Sequence, residues 1–129
     1  MLARLHLSQY LRTLLIQTSP LKKGSLKLTD FRILQIEIDN QAIYIRRETV
    51  GASTIGGDDP IPYQQSVVQK HFSNMLGHNN TRVDKAIASA NTIKVTVLCR
   101  LTGNKGQADA VKAYEIRQAR QNGLQVLNT

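Results

Sequence analysis

Three histidines, one cysteine and nine carboxylates are what this 129-residue chain offers for metal binding or catalysis. A zinc site draws three or four ligands together from such residues. His71 and His78 are seven positions apart, roughly one helical face, but Gly77 falls between them as a helix stop, and His6 and Cys99 are remote in sequence. His71 therefore reads as an ordinary helix residue. Two carboxylate pairs, Glu37 with Asp39 and Asp58 with Asp59, have the spacing a metal-dependent nuclease could use. Alternation puts Glu37 and Asp39 on one strand face, opposite Ile36 and Ile38. Solvation and turn chemistry explain such a pair beside a turn, and no Glu-x-Lys follows at nuclease-like spacing. Gly103-Asn104-Lys105-Gly106 precedes a helix and could offer backbone N–H groups to an anion. It lacks the Gly-x-x-x-x-Gly-Lys-Ser/Thr pattern of a phosphate loop. Gly56-Gly57-Asp58-Asp59 suggests phosphate or metal binding less than it suggests a flexible loop ending in an N-cap. Cys99 falls on the apolar phase of a strand, where a lone thiol behaves as a small buried hydrophobe. The chain is read as non-enzymatic, without metal or cofactor.

The elements around these residues follow from periodicity. Residues 2–17 space Leu7, Leu11, Leu14 and Leu15 along one helix face. Pro20 and Gly24 end that helix. Leu26 to Ile38 predicts a long strand whose apolar phase shifts between Ile33 and Leu34, through a β-bulge or because both faces are covered. Asp39-Asn40-Gln41 is a turn, and Ala42 to Glu48 returns as the second hairpin strand. Residues 49–59 carry three glycines and few large side chains, the mark of a mobile loop or one that orders against a partner. Asp59-Pro60 has the form of a helix start. Tyr63, Val67, Val68, Phe72, Met75 and Leu76 then keep helical spacing to Gly77, and a shorter helix runs from Asn79 to about Ala90 with Val83 and Ile87 inward. Ile93, Val95, Val97, Cys99 and Leu101 alternate as a strand buried mainly on one face. Residues 107–122 favour helix, Gly123 sits where a C-cap glycine belongs, and a short strand follows over 124–128. The expected fold is α+β: one domain over 1–129, with a single three- to four-stranded sheet, helices mainly on one face, an N-terminal helix and a long hairpin.

Composition bounds the partners. Seventeen Lys plus Arg against nine Asp plus Glu give a net charge of +8, which attracts polyanions. The cations are dispersed, Lys22-Lys23, Arg46-Arg47, Lys105, Arg117 and Arg120 among them, so no basic tail is marked. Aromatic residues are only 5% and Trp is absent, which disfavours a base-stacking platform. The longest apolar run, Leu14-Leu15-Ile16, is too short for a membrane span, and the first residues do not read as a secretory signal.

The segment Leu14 to Leu26, with Ser19-Pro20 and Gly24 before a hairpin, resembles the neck or tail-completion proteins of tailed bacteriophages. There an N-terminal helix runs into a Ser/Ala-Pro-x-x-Thr-Gly-x-Leu turn and then β structure; Lys23 stands in the threonine's place. The C-terminal strand-helix-strand is closer to tail-terminator-like proteins. The resemblance implies a virion structural protein, assembled in the host cytoplasm as a ring-forming homo-oligomer at the head–tail junction or tail end, contacting neighbouring virion proteins and, nonspecifically, DNA. Ser19, Pro20, Gly24, Arg46, Arg47, Gly56 and Gly57 are its expected interaction residues. The alternative is a small basic nucleic-acid-binding domain that contacts the phosphate backbone.

Overall fold

The computed structural model describes residues 28–51, 54–73 and 80–128. The expected N-terminal helix, Ser19, Pro20, Gly24, His6, Met75, Leu76, Gly77 and His78 lie outside the described residues.

The hairpin forms as expected from β1 (Thr29–Ile38) and β2 (Ala42–Thr49). Asp39 and Asn40 both take φ of 55° in its turn, a left-handed conformation that Asp and Asn tolerate better than most residues. β3 (Ile61–Tyr63), α1 (Gln65–Ser73), α2 (Thr81–Ala88), β4 (Ile93–Gly103), α3 (Lys105–Gln121) and β5 (Gln125–Val126) follow. The strands form one five-stranded mixed sheet in the order β3-β4-β1-β2-β5. Among the described strands only β5 pairs in parallel, against β2; outside them, Gly57 makes a single parallel bridge to Thr96. β5 and β4 therefore run the same way, and α3 carries the chain from one to the other across β1 and β2.

The fold is α+β, with two corrections to the expected layout. The sheet has five strands, and its helices cover both faces. On one face Phe31, Ile33, Ile43, Ile45, Cys99 and Leu101 pack with Ala108, Val111 and Ala119 of α3. On the other, Leu34, Ile36, Ile38, Val95 and Val97 pack with Val68 and Phe72 of α1 and Val83 and Ile87 of α2. This double cover explains the apparent phase shift in β1: the strand alternates strictly, and apolar residues are buried on either side. A bulge does lie at Ile33/Leu34, but the extra residue is Leu98 of β4, since Ile33 pairs Cys99 and Leu34 pairs Val97. Leu98 reverses the phase of β4. Ile93, Val95 and Val97 face α1 and α2, while Cys99 and Leu101 face α3, so the strand is not buried mainly on one side.

A third correction concerns Asp59-Pro60, which starts no helix. A short edge strand intervenes, where Pro62 is tolerated at the sheet border, and α1 begins at Gln65. The side-chain amide of Gln65 donates to Ile87 O at 2.8 Å and to Ala88 O, tying α1 to α2. Asn80 caps α2 through the Val83 N–H. Asn104 and Gln107 form a capping box on α3, so the Gly103–Gly106 turn has its own side chains on N–H groups an anion would need. Gly123 closes that helix at φ 79°. No helix of the described residues is long and apolar enough to cross a membrane.

Candidate functional site

A hairpin centred on Asn40 places Arg32 of β1 opposite Glu48 of β2. Arg32 is also opposite Arg100 of β4. Alternation from Leu34 puts Arg32, Arg46 and Glu48 on the α1 face of the sheet, and His71 of α1 descends onto them. Arg32, Glu48 and His71 are all buried, at 7%, 3% and 9% exposure.

The cluster is crowded but loosely bonded. Glu48 Oε1 lies 3.8 Å from Arg32 Nη2, and Glu48 Oε2 lies 3.5 Å from His71 Nε2. Both separations are too long for hydrogen bonds. The Arg46 guanidinium stands 4.7 Å above the Phe72 ring, a cation–π arrangement. Arg32 Nε, Arg46 Nε and Nη1, Glu48 Oε2 and His71 Nε2 are buried without a hydrogen-bond partner.

Burial dominates the electrostatics. It raises the Glu48 carboxyl above its ordinary range, against the pull of Arg32 and Arg46. It lowers His71, and Arg46 and Arg32 lower it further. It also lowers Arg46, against the neighbouring Tyr44 and Glu48. His71 at 3.5 Å from Glu48 would form an ion pair only if protonated; burial beside two guanidiniums opposes that charge, so the contact is one with a neutral ring. Two cations therefore share one carboxylate, which suits the cluster to holding negative charge more than to moving protons.

The glycine-rich loop helps to build this end of the sheet. Val97 N–H donates to Gly57 O at 2.7 Å, and Gly56 N–H donates to the Tyr63 hydroxyl at 2.8 Å. Gly56 has φ 89°, and a Cβ there would meet Val95 Cγ1 at 2.8 Å, so only glycine brings the loop this close to β4. Ile55 O thereby accepts from Arg32 Nη2. Asp58 Oδ1 accepts from Arg100 Nη1 at 2.5 Å. Residues 54–58 are thus ordered against the chain's own β4, where the sequence suggested mobility or a partner.

Of the expected interaction residues, Arg46 belongs to the cluster, whereas Gly56 and Gly57 sit beside β4 in the loop whose Ile55 O accepts from Arg32. Arg47 points to the opposite face, 3.3 Å from Asp109 and 5.5 Å from the Phe31 ring centre. Ser19, Pro20 and Gly24 lie outside the described residues. Sequence reasoning missed Arg32 and Glu48 and passed over His71; the hairpin register was the available signal for the first two. One member of each candidate carboxylate pair has structural employment. Asp39 Oδ1 accepts from the Asn91 and Thr92 N–H groups at 2.7 and 2.8 Å, and Asp58 holds Arg100. Among the described residues no three His, Cys, Asp or Glu side chains converge as a metal site. The chain matches no protein family, and no similar protein or solved structure was found.

Proposed function

We propose that this chain is a virion structural protein, a ring-forming subunit at the head–tail junction or tail end of a tailed phage. One observation supports the assembly half of this reading. Among the described residues, three-residue β3 covers part of eleven-residue β4, and two-residue β5 covers part of eight-residue β2. Partly covered strand edges are where neighbouring chains add by backbone pairing. The resemblance of residues 14–26 supplies the phage half. Negative-stain electron microscopy of the concentrated chain should find closed rings of one diameter; dispersed single particles at every concentration would count against it.

A second reading, phosphate-backbone binding, is favoured by α3. Lys105, Arg117 and Arg120 are exposed on it, and its exposed Asp109 is engaged by Arg47. Binding to two unrelated duplexes across a salt series separates the two. Contact incidental to assembly is weak, indifferent to sequence and abolished by about 200 mM salt. Tight binding that survives that salt and prefers one duplex would promote the second reading.

A further inference from the structure

β5 covers only one end of β2, and the other end is bare. Backbone hydrogen bonding alternates along an antiparallel strand. Even-numbered residues of this strand pair inward with β1, in the same register as the Val50 N–H that donates to Asp30 O, so odd-numbered ones face outward. Ile43 O accepts from Leu127 N–H, and both backbone groups of Ile45 are taken by the Asn128 side chain. There the cover stops. Among the described residues, the outward N–H and C=O groups of Arg47 and Thr49 carry no hydrogen bond. Thr49 is exposed, as is Val50 after it.

The opposite border of the sheet is built differently. On β3 the backbone groups of Ile61 and Tyr63 turn to β4, and Pro62 holds the outward position, where it has no N–H to give. Farther along β4, Gly57 O occupies the Val97 N–H and Asp58 holds Arg100. Proline on a border strand guards against strand addition. β2 has no such guard.

Charge selects what can be added. Arg46 and Arg47 belong to the bare stretch, and Arg120 is anchored beside it on Asn128 O. Of the nearby carboxylates, Asp109 is engaged by Arg47, and Glu48 is buried in the cluster. Residues 1–29 and 116–129 contain no Asp or Glu, so neither stretch of a second copy supplies a complementary strand.

We infer that the edge of β2 at residues 47–49 accepts an acidic extended segment of a different protein, added as a further strand. Backbone bonds to the two outward residues supply affinity, and the side chains of the added strand supply specificity. Carboxylates on one face of it lie beside Arg47 and Arg120. The site does not depend on the proposed ring.

The test is fluorescence anisotropy of a labelled, end-blocked Val-Glu-Val-Glu-Val-Glu peptide, titrated with the full chain at constant ionic strength. The expected result is saturable one-to-one binding. Thr49→Pro removes an outward N–H that does not pair with β1, and should weaken binding at least tenfold while far-UV circular dichroism stays unchanged. A peptide of the same charge with its middle Val replaced by Pro cannot complete the strand. It should lose at least tenfold against the parent chain, a measurement that leaves the protein's fold untouched. The peptide with Lys in place of Glu should not bind. No saturable binding of the Glu peptide, or unchanged affinity in a folded Thr49→Pro chain, would overturn the inference. Equal binding of the Pro-containing peptide would do so too, because it would mark diffuse attraction to the basic surface. If Thr49→Pro instead lowers the copy number of the peptide-free chain, the edge belongs to a second copy and the inference fails.

Discussion

Phe72→Ala is the sharpest test of the packing on the α1 face. Phe72 is 2% exposed and sits among Leu34, Ile36, Val68, Val83 and Ile87. Its ring meets Tyr44 edge-on at 6.1 Å and carries Arg46 at 4.7 Å. Truncating a buried Phe to Ala costs about 3–5 kcal/mol, through lost transfer energy and the cavity left behind. The edge-on pair and the cation–π contact are each worth about 0.5–1.5 kcal/mol and place this site in the upper half of that range. Domains of this size have stabilities of about 5–15 kcal/mol, so the variant should fold but unfold at much lower urea. Phe72→Leu restores most of the volume and should cost less than the Ala variant by at least about 1.5 kcal/mol. Equilibrium urea denaturation, with the slope checked for constancy, measures both. A loss below about 1 kcal/mol for Phe72→Ala would refute the packing, since it would mean the ring is not in the core.

Asn128→Ala should cost about 2–4 kcal/mol, because the Asn128 side chain donates to Ile45 O at 2.7 Å and accepts from Ile45 N–H at 2.9 Å, leaving two buried backbone groups unpaired when removed; a change under about 0.5 kcal/mol in urea melts would mean that water replaces it freely. Cys99→Ser should leave assembly intact and lower stability by about 1 kcal/mol or more through a buried hydroxyl; loss of assembly at unchanged stability would make Cys99 functional. The Glu48–His71 pair should give opposed pH slopes. Glu48 is raised from 4.5, so its contribution is full below that pH and is lost as pH rises through the raised value. His71 is lowered from 6.5, so its contribution is full above that pH and is lost as pH falls through the lowered value. His71→Gln should therefore lose stability as pH rises from the acid side, and Glu48→Gln should gain stability as pH rises toward 6.5; slopes of the same sign in the two variants would contradict the directions assigned.

The parts of the fold that were legible in the sequence are those coded locally. Asp39-Asn40, the Asn80 cap, α3 and Gly123 each carry their own turn or capping chemistry. What was missed depends on pairing at a distance. The Asp-Pro dipeptide and the helical spacing from Tyr63 to Phe72 hide β3, which exists because Ile61, Pro62 and Tyr63 pair with Val95, Lys94 and Ile93. In β4 five apolar residues of one parity suggest one buried face, whereas the Leu98 bulge divides them between two, and no glycine marks the place. Cover on both faces follows from where α1, α2 and α3 dock, which local periodicity does not encode. At the site, Arg46-Arg47 reads as dispersed surface charge. Alternation instead sends Arg46 toward Phe72 and Arg47 toward Asp109, and only the hairpin register assembles Arg32 with Glu48.

Native mass spectrometry of the purified full chain across a concentration series tests the central claim, assembly into a ring, most directly. The account predicts one discrete oligomer of fixed copy number that grows at the expense of the 14.4 kDa chain as concentration rises, with no ladder of intermediates, as closed symmetry requires. A chain that remains monomeric throughout the series would contradict it.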